Sequence, residues 1–311
     1  MEVCMSKSLK TLMDINSSEF KEILDRSASL KAKIKSGAKI DSLSGKVIGM
    51  LFEKPSTRTR ASFESAIARL GGHPVYMPSG DLQMKRGEPV KDAARMFDGY
   101  FDALVARVYS HKTILELDEF TNFPVINALC DLAHPTQAVC DLLTVMEHKK
   151  DLKGLKLTYI GDGNNVCHSL LLACAHTGMN MMAACPKGYF PKDTILDAAR
   201  KIAEKTGSVF EITESVEDAA KDSDVLYTDT WVSMGEDAEK ETKIKAFAGY
   251  QINADLLKIA KNDAIVMHCL PAYRGYEITE DVLEGPKSVV WQQGENKMHA
   301  AAGVLDFFLA K

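Results

Sequence analysis

The sequence predicts an α/β protein built from two doubly wound parallel sheets, with a C-terminal helix packing back on the first. Three observations predict it. Short apolar runs alternate with longer stretches of helical periodicity, the pattern of βα units on a parallel sheet. The alternation stops at the polar Lys149-Lys150-Asp151 and then starts again. The 311 residues exceed one ordinary core and fit two domains of about 100–200 residues each.

Residues 18–35 place Phe20, Ile23 and Leu24 at helical spacing and stop before Gly37, a usual helix terminator. Residues 46–52 read as a short apolar strand, and 56–70 as a helix closed by Gly71-Gly72. Strand 73–77, helix 89–100, strand 103–108, helix 112–119, strand 124–129 and a long helix over 135–149 follow. After the polar break come strand 156–161, helix 165–177, strand 181–185, helix 193–206, and strands 209–213, 225–230 and 264–269. A last helix covers 295–310. The domains read from this are 1–149 and 150–294, with 295–311 joining the first.

Composition narrows the function classes. Hydrophobic residues make up 46% and charged residues 26%, a soluble globular profile. The net charge of −5 disfavours nucleic acid and anionic membranes as partners, because both select basic surfaces. The seven cysteines, Cys4, Cys130, Cys140, Cys167, Cys174, Cys185 and Cys269, form no CxxC pair. They are expected to be reduced thiols, with neither a disulfide framework nor a metal cluster. The first residues show no apolar signal region or Arg-rich transit character. No apolar run approaches the roughly 18–20 residues of a membrane span. A cytoplasmic protein is expected.

Ligands of open α/β sheets bind at the carboxyl ends of the strands, and the unusual polar residues of this chain fall there. After strand 46–52 comes Lys54-Pro55-Ser56-Thr57-Arg58-Thr59-Arg60, opening a helix. Helix N-terminal N–H groups carry partial positive charge, Ser56, Thr57 and Thr59 add hydroxyls, and Arg58 adds a planar fork suited to phosphate. A Ser56 that only caps the helix beside solvated arginines is the alternative. Arg107 ends strand 103–108 among Leu104, Val105 and Val108, where an unpaired charge is costly. It faces a cleft, or else an exposed edge. His134-Pro135-Thr136-Gln137 opens the long helix, with Pro135 at the favourable first position.

These motifs resemble the two carbamoyl-phosphate signatures of the aspartate/ornithine transcarbamylase family. The resemblance implies that Ser56, Thr57, Arg58, Thr59 and Arg107 cradle a phosphate. It also implies that Arg107, Thr59 and His134 polarise the carbamoyl carbonyl while Gln137 holds its amide. Gln83 matches a position that reaches a neighbouring subunit's site. The family usually has an arginine after Glu295-Asn296, where this chain has Lys297, which keeps the charge and loses the bidentate fork.

Three further segments stand at strand ends: Gly161-Asp162-Gly163-Asn164-Asn165, Asp229 to Gly235, and His268-Cys269-Leu270-Pro271. They resemble the ornithine-type members. Acidic Asp229 suits an α-ammonium, Asn165 and the backbone near Ser233 and Met234 suit an α-carboxylate, and Cys269 with Leu270 lies near the reacting amine. Taken singly, Asp229 is as well read as a loop cap, the asparagine pair as a helix start and Cys269 as a buried thiol. The implied reaction is transfer of a carbamoyl group from carbamoyl phosphate to L-ornithine, in citrulline and arginine metabolism or the urea cycle. Putrescine, N-acetylornithine and aspartate are the alternative acceptors. No cofactor is called for, and a homotrimer or an assembly of trimers is implied. A dinucleotide-binding rival rests on Gly161-Asp162-Gly163, where Val166 stands in place of the third small residue.

Overall fold

The computed structural model describes residues 8–78, 80–232 and 237–310. Its packing divides the chain into two units, Met1–Leu143 with Asn296–Lys311, and Thr144–Glu295. Among the described residues no helix is long and apolar enough to cross a membrane.

The first unit contains α1 (Ser17–Lys35), β1 (Val47–Phe52), α2 (Thr57–Arg69), β2 (His73–Pro78), α3 (Val90–Asp98), β3 (Ala103–Arg107), α4 (His111–Glu119), β4 (Val125–Leu129) and most of α5 (Pro135–Lys149). The strands are parallel in the order β2-β1-β3-β4, so the winding reverses between β1 and β3. Strand side chains alternate between faces. On one face Leu51, Leu104, Ala106 and Val125 pack with Ala94, Ile114 and Leu117 of the two following helices. The register pairs Phe52 with Arg107, which brings the tips of β1 and β3 side by side at the reversal.

The second unit contains β5 (Lys156–Ile160), α6 (Asn165–Thr177), β6 (Asn180–Ala184), α7 (Asp193–Thr206), β7 (Phe210–Thr213), α8 (Val216–Ala220), β8 (Val225–Thr228), α9 (Lys240–Ala246), α10 (Ala254–Ile259), β9 (Ile265–His268) and α11 (Glu280–Leu283). Its strands are parallel in the order β7-β6-β5-β8-β9, reversing between β5 and β8. Ile160 pairs with Ala184 and Thr228, and Thr228 with His268, so Gly161, Asp229 and Cys269 all leave the sheet at one edge. Both units anchor their central strand alike. Asp102 accepts the Val47 amide at 2.8 Å, and Asp224 accepts the Lys156 amide at 2.8 Å.

The final helix, α12 (Val290–Leu309), packs its later turns on α1 of the first unit. Arg26 bonds Asp306 at 2.8 Å and Lys31 bonds Asn296 at 2.7 Å. A Cβ on Gly303 would stand 2.8 Å from the Ser27 Cα, so only glycine permits this approach.

The α/β reading holds, with local differences. The last helix begins at Val290 rather than near 295. Gly294 reads as a breaker but sits inside the helix with open space where a side chain would be. The strands predicted over 225–230 and 264–269 stop at Thr228 and His268, releasing Asp229 and Cys269 from the ladder. The short α8, α9, α10 and α11 were not predicted. Parallel pairing demands a crossover after β7, and α8 begins it.

Candidate active site

In the first unit the polar groups gather at the winding reversal. Ser56 caps α2, its hydroxyl accepting from the Thr59 amide at 3.3 Å. The first N–H groups of a helix lack intrahelical acceptors, so this turn offers donors to an anion. Thr59 is buried, and Thr57 and Arg58 are exposed. The two arginines of the turn diverge. Arg60 pairs with Glu64 at 3.0 Å and lies over the Tyr76 ring at 3.6 Å, which makes it a structural residue. The Arg107 carbonyl accepts from Glu53 N at 2.8 Å, tying its strand tip to the turn that carries Ser56 to Arg58.

Arg107, His134 and Gln137 are all buried. Pro135 opens α5, and the Gln137 and Ala138 amides donate back to the His134 carbonyl. Gln137 donates to Asp141 at 2.7 Å, and its carbonyl oxygen accepts from the Lys297 ammonium. The amide orientation is thereby fixed. One lone pair of that oxygen remains for another donor. Burial, then the charges of Lys297 and Arg107, hold His134 well below the usual imidazole value of 6.5. The ring is neutral at pH 7, and it can donate one N–H without adding charge. Gln83 is placed apart, exposed on a turn where it bonds Arg86 at 3.5 Å.

In the second unit the centre is Asp229, 8% exposed. One carboxylate oxygen accepts from the Cys269 thiol at 2.9 Å and from the Thr230 amide at 2.8 Å. The other accepts from the Asn164 side-chain amide at 2.9 Å. Asn164 also caps α6, its oxygen accepting from Val166 N and Cys167 N at 2.9 and 3.2 Å. The polar turn thus starts a helix and braces a carboxylate at once. Asn165 opens the helix beside it. Gly163 is required, because a Cβ there would meet Pro191 N at 2.3 Å.

The strand end beneath Cys269 is held by a buried network. His268 Nδ1 accepts from Leu270 N at 2.8 Å, which leaves Nε2 as the donor to Glu277 at 3.0 Å. Glu277 also accepts from Tyr273 N at 2.6 Å. Leu270 has φ 57, in the left-handed region, and precedes a cis peptide to Pro271. Asp229, His268 and Cys269 each offer a ligand atom, all within 4.8 Å of one another. The sequence suggested no metal there, and both His268 nitrogens are already engaged in hydrogen bonds. Ser233 and Met234 lie outside the described residues.

Ser56, Thr57, Arg58, Thr59, Arg107, His134, Gln137 and Lys297 fall in one unit, and Asn165, Asp229, Cys269 and Leu270 in the other. Glu277 and Lys243 join the second group although the sequence reading did not single them out, and Asp162 and Asn164 join it without having been given a role there. Asn164 stood in a recognised polar turn. Glu277 and Lys243 stand among ordinary surface-type residues, and only their burial distinguishes them.

Comparison with known proteins gives one family for both halves of the chain. Residues 7–147 match the family described as aspartate/ornithine carbamoyltransferase, carbamoyl-P binding domain, and residues 153–308 match its Asp/Orn binding domain. A protein of Methanosarcina acetivorans named ornithine carbamoyltransferase is 48% identical over 301 residues, 97% of this chain and 98% of its own length. A Pyrococcus horikoshii protein of the same name is 46% identical over 97% of this chain and 96% of its own. The solved ornithine carbamoyltransferase of Pyrococcus furiosus superposes with a TM-score of 0.94 at 45% identity, covering 98% of this chain and 97% of that one. The anabolic enzyme of Campylobacter jejuni gives 0.91 at 40% identity, over 97% and 98%. With both halves matched and identity this high over nearly the full length, the chain belongs to the aspartate/ornithine carbamoyltransferase family.

Proposed function

We propose that this carbamoyltransferase moves the carbamoyl group of carbamoyl phosphate to the δ-amine of L-ornithine, giving L-citrulline and phosphate. The observation that supports this acceptor is Asp229, a nearly buried carboxylate oriented by three donors at a strand tip. A fixed negative charge suits the α-ammonium of ornithine and repels the second carboxylate of aspartate. N-acetylornithine lacks that ammonium. Putrescine lacks the α-carboxylate that we assign to Asn165 and to the backbone near Ser233 and Met234.

Carbamoyl phosphate is assigned to the other unit. Arg58 and Arg107, the α2 amides and the hydroxyls of Ser56, Thr57 and Thr59 hold its phosphate. Thr59, Arg107 and neutral His134 donate to the carbamoyl oxygen. The free lone pair of the Gln137 carbonyl accepts from the carbamoyl N–H, with Lys297 holding the amide in that orientation. A free alkyl amine has a pKa near 10.4 and attacks only when neutral. Removing it from water lowers that value, and the Cys269 sulfur is a weak acceptor for its N–H. The amine nitrogen bonds to the carbamoyl carbon, negative charge collects on the carbonyl oxygen, and the carbon–oxygen bond to phosphate breaks. The surplus amine proton leaves with the phosphate.

The assembly we infer is a cytoplasmic homotrimer or a group of trimers. In it the exposed Gln83 is assigned to the site of a neighbouring copy, and light scattering measures the mass. The function is tested with a panel of ornithine, putrescine, N-acetylornithine and aspartate against carbamoyl phosphate, scoring ureido product. Ornithine should give the largest kcat/KM. Preference for another acceptor would overturn the assignment of Asp229.

A further inference from the structure

Among the described residues is a buried ion pair that the chemistry assigned above does not use. Lys243 is 3% exposed on α9, and its ammonium donates to Asp162 at 2.7 Å. The ammonium also lies 5.7 Å from the centre of the Tyr189 ring. Two charges out of water are costly, and such a pair is a weak device for stability alone. A role in fixing geometry is a better account, and the neighbours supply one.

Asp162 is the second residue of the turn between β5 and α6. That turn is held from several sides. Gly163 N donates to the Tyr189 carbonyl at 2.8 Å, and Asn164 N donates to the Asp162 carbonyl at 2.7 Å. The side chain of Asn164 then bonds Asp229. Tyr189 packs on Phe247 at 4.9 Å, and Phe247 stacks on Trp231 at 6.0 Å, two residues beyond Asp229. Both routes from Lys243, through the turn and through the aromatic rings, end at the segment carrying the acceptor carboxylate.

We propose that Lys243 and Asp162 form a positioning pair for the acceptor half-site. The pair fixes the 161–165 turn so that Asn164 presents Asp229 to the acceptor's ammonium. Neither residue touches substrate in this account, and it rests on the ornithine reading above. The pair should set the acceptor's KM and leave carbamoyl phosphate unaffected.

The test uses the full chain with K243M, K243R and D162N, steady-state kinetics for both substrates, and thermal melts. D162N and K243M should each raise the KM for ornithine by at least about tenfold while the KM for carbamoyl phosphate stays within about twofold. K243R keeps the charge and should stay within about threefold of wild type. If K243M does not fold, D162N carries the test, since the amide is isosteric and still accepts from Lys243. An unchanged ornithine KM in D162N, or an equal rise for both substrates, would overturn the pair's role while wild-type turnover upholds the ornithine reading. Wild type that carbamoylates a different amine would instead overturn that reading.

Discussion

Replacing Asp229 with asparagine separates charge from shape at the half-site proposed for the acceptor. The carboxylate accepts on both oxygens, from Cys269 and Thr230 on one side and Asn164 on the other. Asparagine must turn its NH2 toward one of these sides. Facing Asn164, it meets an amide that cannot flip, because the Asn164 oxygen is held by Val166 N and Cys167 N. Facing Thr230, it meets a backbone N–H. Either orientation leaves two donors opposed, at about 1–3 kcal/mol for the lost pairing. The lost attraction for the acceptor's ammonium brings the effect on acceptor use to about 2–4 kcal/mol. At about 1.4 kcal/mol per decade, that is a fall of roughly 30- to 700-fold in kcat/KM for ornithine. The assay is colorimetric ureido formation with each substrate varied in turn. The carbamoyl phosphate KM should not move, and the melting temperature should fall by a few degrees. A D229N enzyme within about threefold of wild type for ornithine would refute the assignment of Asp229.

Other perturbations reach the rest of the molecule. Arg107→Ala should lower kcat by about 10²–10³ through the loss of a donor to the carbonyl oxygen, and Arg58→Ala should chiefly weaken carbamoyl phosphate binding. Near-normal citrulline formation by both would remove the cradle. Because His134 is held well below 6.5, kcat/KM for carbamoyl phosphate should stay flat as pH falls from 8 to 6.5, and an acid limb centred on 6.5 would contradict a buried neutral ring. The same shift makes the unfolded chain bind the extra proton first. His134 should therefore cost stability as pH falls below 6.5 toward its folded value, and His134→Gln should flatten that part of the pH–stability curve. Gly163→Ala would force a Cβ against the Pro191 backbone, so its melting temperature should drop markedly, and an unchanged melt would show that the turn yields.

Much of the fold was legible because parallel strands buried on both faces read as apolar runs. Leu51, Leu104, Ala106 and Val125 are such residues, and they form the first core. The starts of α2 and α5 were legible because Ser56 and Pro135 are residue types that start helices, so Arg58 and His134 could be placed at strand ends from sequence. What stayed hidden depends on contacts between distant segments. Arg60 stands in the same motif as Arg58, and only the fold shows its pairing with Glu64 and its seat on the Tyr76 ring. Glu277 has no local pattern, and its burial beneath His268 comes from the return of an irregular segment onto a strand tip. Lys243 lies on a seven-residue helix, too short and too charged for its periodicity to reveal an inward lysine.

The central claim is tested most directly by supplying carbamoyl phosphate labelled at its carbonyl carbon, together with L-ornithine, and following the label by carbon NMR and phosphate by phosphorus NMR. The account predicts that the label appears in the ureido carbon of citrulline, with one phosphate released for each citrulline formed. Phosphate released without labelled citrulline, or label passing to aspartate in preference to ornithine, would contradict it.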